Sequence, residues 1–420
     1  MAAKAAVERT RFDGAEKTIL FFSSASHFFT HFYMFVFPAL VMPMSRDLGL
    51  PLSSVLELSF WMYLVYGLVA LGWGWISDHW GHKWALGSGV LLSGLGFVAA
   101  GLADSFAALS LSFAVVGVGC SAYHPSGTAI VSQGIRQRGR AMGIIGIWGN
   151  AGMAVAPFVA GLLNLVIGWR TGVVVIGLMG AALGVLALIT PFAVERGSDR
   201  KVVGALKKGE AGRLFVVFCI GLIFAGLMYR SFMLLLPAFL EARLGGLLHS
   251  LQSLVRDRYS SVEKLAAFKT FSATVAATVI YMIGISGQLL GGWAADRFSL
   301  KWTYLIFFVS AVPFIVGMAL IPGPALVASA CVFVIFTHGM QPIENSLIAY
   351  LTPARWRSVS YGVKFTLSFG AGAFAVKLAG AATDAYGIEK TIWIVPVFVI
   401  LVIVNTVVFL YLSRGRDLRH

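Results

Sequence analysis

Two ionisable residues, Arg230 and Glu344, lie deep within long runs of apolar residues. Such runs are typical of helices that cross a membrane, where an unpaired charge costs at least about 2.5–3.5 kcal/mol. Arg230 therefore requires a negative partner or a wet cavity, and its planar guanidinium is suited to binding an anionic group of a substrate. The alternative is a structural ion pair between Arg230 and Glu344.

Glu344 is the carboxylate residue that can be placed deepest in the membrane, within the motif QPIEN at 341–345. A carboxylate in an apolar environment can become neutral by taking up a proton, which predicts that Glu344 couples transport to protons. Glu57 is the alternative proton site. However, residues 54–57 (SVLE) have the spacing of a capping box, which favours a structural role for Glu57.

His27 and His31 are four residues apart and share one helix face with Met34. Imidazole and thioether groups are ligands of transition metals, but this set has no third strong ligand, and we assign no metal site. Hydrogen bonding or proton relay in a cavity is the favoured role. Lys364 and Lys377 are expected to pair with carboxylates or to reach opposite surfaces, and Lys364, the deeper one, is a secondary candidate for anion binding.

The apolar runs that hold these residues dominate the chain. Of its 420 residues, 58% are hydrophobic and 12% are charged, whereas soluble proteins carry about 25% charged residues. This composition is typical of an integral membrane protein and excludes the disordered and fibrous classes. The formal charge of +14 does not indicate a nucleic-acid partner, because the basic residues lie between the apolar runs.

A helix needs about 20 mostly apolar residues to cross a membrane. The chain has twelve such runs, at 18–45, 54–76, 84–102, 106–132, 141–166, 171–192, 213–241, 268–295, 301–320, 324–351, 358–383 and 391–412. With the N-terminus inside, most lysine and arginine residues fall on one side of the membrane. This asymmetry predicts that both termini and the central loop, 193–212, face the cytoplasm.

The segment 242–269 is an extra stretch between the seventh and eighth predicted spans. It contains apolar residues at helical spacing, which predicts an amphipathic helix at the outer membrane surface, and a solvated loop is the alternative. These apolar residues are Leu247, Leu248, Leu251, Leu254 and Val255.

The chain contains an internal repeat in parallel orientation. The segment 31–39 (HFYMFVFPA) is similar to 230–238 (RSFMLLLPA), and 74–78 (GWISD) is similar to 292–296 (GWAAD). The pair His124-Pro125 matches Gln341-Pro342 in the same order. We therefore predict an N-terminal six-helix bundle at 1–192 and a C-terminal six-helix bundle at 213–420. Such duplication is typical of transporters.

The segment 74–83 (GWISDHWGHK) resembles the signature loop of the major facilitator superfamily, G-x-L-a-D-r-x-G-r-k. The chain is similar to that superfamily over nearly its whole length. This resemblance implies an all-α membrane protein with twelve transmembrane helices in two pseudo-symmetric six-helix bundles. It also implies that Asp78 is a latch between the bundles, whereas an ordinary helix-ending carboxylate in water is the alternative. The residues of the predicted conformational switch are Gly74, Asp78, Gly81, Lys83 and, in the second copy, Asp296 and Arg297.

Two shorter motifs refine the resemblance. The segment around Gly152, Pro157 and Gly161 is similar to a fifth-span pattern of antiporters, although small residues at this spacing also serve ordinary helix packing. Tyr123-His124-Pro125, together with 149–152 (GNAG), resembles fosmidomycin-resistance-type exporters. With the repeat, the resemblance predicts a central cavity with a substrate site made of Arg230, His31, His27, His124, Gln341, Asn150 and Lys364.

These features predict a monomeric secondary transporter of the bacterial inner membrane that works by alternating access on a small molecule, without a cofactor. We expect proton-coupled export of a small anionic or amphipathic compound, and proton-coupled uptake of an organic anion or metabolite is the alternative. Transition-metal transport is less favoured because His27, His31 and Met34 lack a third strong ligand. A membrane receptor is less favoured because polar stretches shorter than about 30 residues cannot form a soluble domain. An enzyme is not expected, since no nucleophile-and-base set is visible, and no ATP-binding P-loop motif occurs.

Overall fold

The computed structural model describes residues 12–191, 208–246, 250, 261–352 and 357–414. In these ranges, eleven helices are long and apolar enough to cross a membrane. A twelfth span consists of two helices, Leu52–Leu68 and Ala70–Trp80, which meet at an angle of 47°. The structure thus confirms the predicted all-α fold with twelve spans.

The first six spans are numbered α1 to α6. Their bounds are Gly14–Leu48 for α1, Leu52–Glu57 with Phe60–Leu68 and Ala70–Trp80 for α2, His82–Leu102 for α3, Phe106–Cys120 with Tyr123–Gly134 for α4, Arg138–Ile167 for α5, and Trp169–Ile189 for α6.

The last six spans are numbered α7 to α12, and α11 contains a π-helical turn. Their bounds are Lys208–Arg243 for α7, Val262–Arg297 for α8, Leu300–Leu320 for α9, Ala325–Leu351 for α10, Arg357–Phe365 with the π-helical Thr366–Gly370 and Phe374–Tyr386 for α11, and Ile388–Thr391 with Ile394–Leu412 for α12.

Helix α8 begins earlier than the sequence predicts. It starts at Val262 because the side chain of Ser261 accepts a hydrogen bond from the backbone nitrogen of Lys264 and caps the helix. Residues 262–269 are therefore the first two turns of a long helix and not part of a separate segment. The apolar residues of the predicted amphipathic helix, at 247–255, lie outside the described residues.

Short connections join most consecutive helices, so the helices alternate in direction. The ends of the chain segments at Gly14, Ile189, Lys208 and Leu412 consequently lie at one face of the bundle. We call this face the termini face and the other one the opposite face. The cytoplasmic location of the termini face remains a prediction.

A capping box fixes the start of α1 at the termini face. The side chain of Asp13 accepts a hydrogen bond from the backbone of Glu16, and Glu16 in turn accepts one from the backbone of Asp13. Arg136, between α4 and α5, donates to Glu16 at 3.0 Å and to Asp13 at 3.1 Å. This network attaches the beginning of α1 to the α4–α5 connection.

Ion pairs join the two halves at the opposite face. Arg46 of α1 forms a salt bridge with Glu241 of α7 and donates a hydrogen bond to Thr270 of α8 at 3.0 Å. Lys377 of α11 lies 2.7 Å from Glu57 of α2. The halves are therefore held closed at this face.

The pair between Glu57 and Lys377 also shows that the predicted capping box at 54–57 is wrong. The helix begins at Leu52 with Pro51 as its N-cap residue, and no side chain caps it. The fixed backbone angle of proline suits the start of a helix, so the helix begins too early for Ser54 to cap it. The carboxylate of Glu57 is thereby free to bind the other half.

Deeper in the protein, α2 and α11 cross with their backbones in contact. A Cβ atom added at Gly67 would lie 2.5 Å from the backbone nitrogen of Gly370. The hydroxyl of Thr366 donates a hydrogen bond to the carbonyl of Gly67 at 3.3 Å. Only glycine permits this approach, which brings the π-helical turn of α11 against α2.

Candidate substrate cavity

A cavity of about 300 Å³ lies between the two halves. Its wall comes from α1, α4 and α5 of the first half and from α7, α8, α10 and α11 of the second half. Most residues of the predicted substrate site lie on this wall together with the predicted proton site, namely His27, His31, His124, Asn150, Gln341, Lys364 and Glu344. The sequence pattern therefore located one common site from residues that are far apart in the chain.

Glu344 and Lys364 form a buried ion pair on the cavity wall. The Nζ atom of Lys364 lies 3.0 Å from Oε2 of Glu344, and each side chain is 9% exposed. Lys364 also donates to Oδ1 of Asn345 at 2.8 Å, and the hydroxyl of Tyr304 donates to Oε1 of Glu344 at 3.0 Å. The carboxylate thus has a cation on one oxygen and a hydroxyl donor on the other.

Arg230 is not on the wall of the cavity. It is 3% exposed, and its guanidinium carbon lies 3.6 Å from the ring centroid of Tyr63, in a cation–π contact. Its neighbour Tyr229 lines the cavity instead, because successive residues of a helix point about 100° apart.

Arg230 has no salt bridge with a carboxylate in the described part of the chain, and its Nε atom has no hydrogen-bond partner there. The alternative pairing of Arg230 with Glu344 is wrong, since Glu344 pairs with Lys364. Arg230 is therefore a buried cation held against an aromatic ring, and its role in substrate binding remains a prediction.

Three histidines meet at one end of the cavity. One ring nitrogen from each of His27, His31 and His124 lies within 4.8 Å of the other two. The Nε2 atoms of His27 and His31 are 3.0 Å apart. Met34, the third residue of the face considered from the sequence, is buried in the core and does not line the cavity.

An amide bridge crosses the cavity between the halves. Asn150 of α5 and Gln288 of α8 exchange two hydrogen bonds, both of 3.0 Å. Gln288 also donates to Gln341 of α10 at 3.3 Å. These amides give the cavity neutral donors and acceptors beside the charged pair.

The signature-loop residues lie at the termini face. Gly81 separates α2 from α3 with φ of 103°, a conformation that favours glycine. Asp78 is exposed and forms no ion pair with any residue that the structure describes. The latch predicted for Asp78 remains a prediction, because its expected partner region, at the start of the eleventh span, lies largely outside the described residues. In the second copy, Asp296 is exposed, and the guanidinium of Arg297 lies 5.0 Å from the ring of Trp293.

The other two loop residues have ordinary contacts. Gly74 is partly buried, and a Cβ atom there would lie 3.7 Å from Cβ of Pro125. Lys83 lies 5.3 Å from the ring centroid of Trp84.

The small residues of α5 serve helix packing. A side chain at Gly152 would meet the backbone of Phe28 in α1, and one at Gly161 would meet Thr274 in α8. Pro157 lies between them inside the helix. Helix α5 thus packs closely against a helix of each half, as expected for small residues at this spacing.

Gln288 on the cavity wall and two tyrosines that contact predicted site residues were missed from the sequence. Gln288 is a polar residue within the eighth apolar run, which is the signal that could have found it. Tyr304 and Tyr63 lie in apolar runs of high aromatic content, and their contacts with Glu344 and Arg230 depend on helix packing.

The family model described as Major Facilitator Superfamily matches residues 20–376 of the chain. The chain belongs to this superfamily. The transporter is 26% identical to the 4-hydroxybenzoate transporter PcaK of Pseudomonas aeruginosa over 374 residues, which cover 80% of this chain and 78% of that protein. It is 24% identical to the fosmidomycin resistance protein of Escherichia coli over 328 residues, which cover 75% and 74% of the two chains.

A solved structure supports the fold of the transporter. The crystal structure of a bacterial homolog of the human lysosomal transporter Spinster, in an inward-facing and occupied conformation, superposes with a TM-score of 0.75. The superposition covers 95% of this chain and 97% of that chain at 15% identity. The predicted superfamily and its fold are confirmed.

Proposed function

We propose that the protein is a proton-coupled transporter of small organic anions, in which the anion and a proton bind together at Lys364 and Glu344. The observation that carries this proposal is the buried ion pair on the cavity wall. The cavity, at about 300 Å³, lies at the lower end of the size range of small-molecule sites, about 300–1,000 Å³.

The proposed mechanism is an exchange of partners. A carboxylate on the substrate binds Lys364 in place of Glu344, because Lys364 is the cation that reaches the cavity wall. Glu344 then loses its counter-ion in a weakly solvated site, where an unpaired charge is costly. It is neutralised by taking up a proton. Tyr304 of α9 and Lys364 of α11 are the polar groups that contact the carboxylate from neighbouring helices.

This exchange favours symport over antiport. The anion and the proton stabilise each other's binding, so both cross the membrane in the same direction. An inward proton gradient then drives uptake, which was the alternative derived from the sequence. The name of the relative PcaK, a 4-hydroxybenzoate transporter, supports an aromatic or similar organic anion as substrate.

Export of an anionic or amphipathic compound against proton entry is the second candidate. The similarity to a fosmidomycin resistance protein supports it, as does the α5 pattern that includes Gly152 and Gly161. In this case proton and substrate binding would be mutually exclusive, and the affinity for the substrate would fall as the pH falls.

A binding titration separates the two candidates. We would measure the affinity of the purified protein for 4-hydroxybenzoate, a sugar acid and a phosphonate above about pH 6, where carboxylates in water remain ionised. Uptake of one proton per anion raises the affinity about tenfold for each unit by which the pH is lowered. An affinity that is independent of pH, or that falls with the pH, contradicts the symport proposal.

Two variants assign the proton site. Glu344→Gln should make the affinity independent of pH and should abolish accumulation driven by a pH gradient, while substrate exchange is retained. Glu57→Gln is the matched control, since Glu57 also pairs with a lysine of α11 but lies outside the cavity. The control should keep the pH dependence of the wild-type protein.

We also propose that the protein resides in a bacterial inner membrane as a monomer, with the termini face in the cytoplasm. The distribution of lysine and arginine residues supports this orientation. Reporter fusions after Lys208 and at the C-terminus should both give a cytoplasmic signal. A periplasmic signal at either position would reverse the proposed orientation.

A further inference from the structure

We propose that His27, His31 and His124 form a binding site for a divalent transition-metal ion, with an open coordination position toward the cavity. This inference goes beyond the transport of an organic anion and does not depend on it. It rests on the convergence of three imidazole rings from two helices, α1 and α4, at the cavity wall.

The distances suit a metal centre. Two imidazole nitrogens that bind one tetrahedral ion at about 2.0–2.1 Å lie about 3.3–3.4 Å apart. The Nε2 atoms of His27 and His31 are already 3.0 Å apart. One ring nitrogen of His124 lies within 4.8 Å of a ring nitrogen of each of the other two histidines, so a small inward shift of the side chains completes the ligand set.

The hydrogen bonds orient the rings for metal binding. Nδ1 of His27 lies 2.7 Å from the carbonyl oxygen of Ile145, and a carbonyl only accepts hydrogen bonds. In the neutral ring Nδ1 therefore carries the hydrogen, and Nε2 has a lone pair that accepts a hydrogen bond from Nε2 of His31. When an ion binds, it takes the place of this hydrogen, which moves to Nδ1 of His31 or to solvent. Metal-bound histidines usually have a backbone carbonyl or carboxylate at their second nitrogen, as His27 does.

Aromatic neighbours hold two of the rings in place. The ring of His27 stacks on Tyr123 at a centroid distance of 4.2 Å, and the ring of His124 stacks on Phe365 at 4.6 Å. The hydroxyl of Tyr66 lies 3.0 Å from Nε2 of His124. Such packing reduces the freedom that the ligands would lose when they bind an ion.

The ligand chemistry selects the class of ion. Neutral imidazoles suit Zn²⁺, Co²⁺, Ni²⁺ and Cu²⁺, whereas Mg²⁺ and Ca²⁺ require oxygen ligands. Three protein ligands leave a fourth position of a tetrahedral ion open. Because all three ligands are neutral, the ion keeps its full charge, and an anion or hydroxide from the cavity side completes the site.

His338 provides a matched control. It is buried within α10, and its Nδ1 lies 3.1 Å from the carbonyl of Val334, so its tautomer is also set by a backbone carbonyl. It does not belong to the three-histidine group. A substitution of His338 therefore tests whether any buried histidine affects metal binding.

The experiment is a titration of the purified full-length protein, without a polyhistidine tag, with Co²⁺. We expect one equivalent to bind with the intense visible absorption of a tetrahedral ion, and Zn²⁺ to displace it. His31→Gln and His124→Gln should each weaken binding at least about tenfold, since loss of second-shell contacts alone costs about 10–100-fold. His338→Gln should bind as the wild-type protein does.

Thermal unfolding and gel filtration would show whether each variant is folded. Two ligand variants are used, so that the proposal can still be tested if one of them does not fold. If the three histidines only form hydrogen bonds with one another, no saturable binding of Co²⁺ will be seen, and this result would overturn the proposal. Equal affinity in the wild-type protein and in a folded His31→Gln or His124→Gln variant would also overturn it.

Discussion

Helix α11 carries two lysines that each pair with a glutamate, but in different environments. Lys364 and Glu344 both belong to the second half, and their side chains are 9% exposed. Lys377 and Glu57 join the two halves at the opposite face, with side chains that are 49% and 41% exposed. The same two residue types thus form one pair inside the cavity and one pair in contact with solvent.

The difference in burial predicts different roles. Removal of one partner from a buried pair costs about 3–5 kcal/mol, because the remaining charge is left unpaired. An exposed pair contributes about 0–1 kcal/mol. The buried pair is therefore suited to exchange with charged ligands, whereas the exposed pair is weak enough to break and reform in each transport cycle.

The largest effect is expected for Lys364→Ala. This change removes the cation from the cavity and should abolish anion binding. It should also lower the free energy of unfolding by about 3 kcal/mol. Calorimetric binding and thermal unfolding would measure both effects. The double variant Lys364→Ala with Glu344→Ala should recover much of the lost stability but should still not bind the anion. Anion binding by a folded Lys364→Ala protein would contradict the proposed exchange of partners.

Arg230 extends the comparison to a buried cation that pairs with no glutamate in the described part of the chain. If it binds the substrate at another stage of the cycle, Arg230→Met should slow transport at least about tenfold while the thermal stability stays equal or rises, because an unpaired buried charge is removed. Arg230→Lys should cause a smaller loss, since it keeps the charge but not the planar fork. Wild-type transport by a stable Arg230→Met protein would exclude Arg230 from the substrate site.

Asp78 tests the termini face, where the signature loop lies. Asp78→Asn should leave the thermal stability within about 0.5 kcal/mol, because its carboxylate is exposed and forms no ion pair with a residue that the structure describes. If Asp78 forms the predicted latch at another stage of the cycle, transport in proteoliposomes should nevertheless fall about tenfold. Normal turnover would mean that the residue only ends a helix.

Glu241 is intermediate, because its side chain is 1% exposed while that of Arg46 is 37% exposed. Glu241→Gln should destabilise the conformation in which the opposite face is closed by about 1.5–3 kcal/mol, because a hydrogen bond to a charged group contributes about that much. Positions 104 and 325 are exposed and lie at the opposite face, one in each half. Spin labels there should show a longer distance between the halves in a larger fraction of the variant molecules than of the wild-type molecules. An unchanged distance distribution would show that the pair does not hold this face closed.

The smallest effect is expected for Lys377→Met. The exposed pair with Glu57 should contribute less than about 1 kcal/mol, and transport should stay within about twofold of the wild-type rate. High salt should reduce even this difference, because it screens exposed charges. A loss of stability and transport as large as that expected for Lys364→Ala would show that the difference in burial does not set the roles of the two lysines.

Much of the site could be predicted from the sequence, because polar residues are rare in apolar spans and must face a cavity or each other. His27 and His31 were predicted in this way, whereas His124, Asn150 and Gln341 followed from the internal repeat and the family resemblance, and all five line the cavity. The partner of Glu344 could not be predicted, since it depends on how α7, α10 and α11 are rotated about their axes. A residue such as Arg230 can thus be deep in the membrane and still point away from the cavity.

The fold followed from apolar runs and an internal repeat, whereas some local details did not. The capping spacing at 54–57 is matched in the sequence, but Pro51 starts the helix earlier. The start of α8 at Val262 depends on one hydrogen bond of Ser261. Such ends are decided by single side chains, and these contribute little to a hydropathy pattern.

If the two halves turn against each other during transport, the glycine crossing of α2 and α11 is suited to be the pivot. A rigid body that turns about a point moves least at that point and in proportion to the length of the lever arm elsewhere. Side chains between the two helices would have to repack during such a turn, whereas the bare backbones at Gly67 and Gly370 have none to repack. In such a turn the crossing could stay in place while the ion pairs at the opposite face separate and the signature loops at the termini face approach each other.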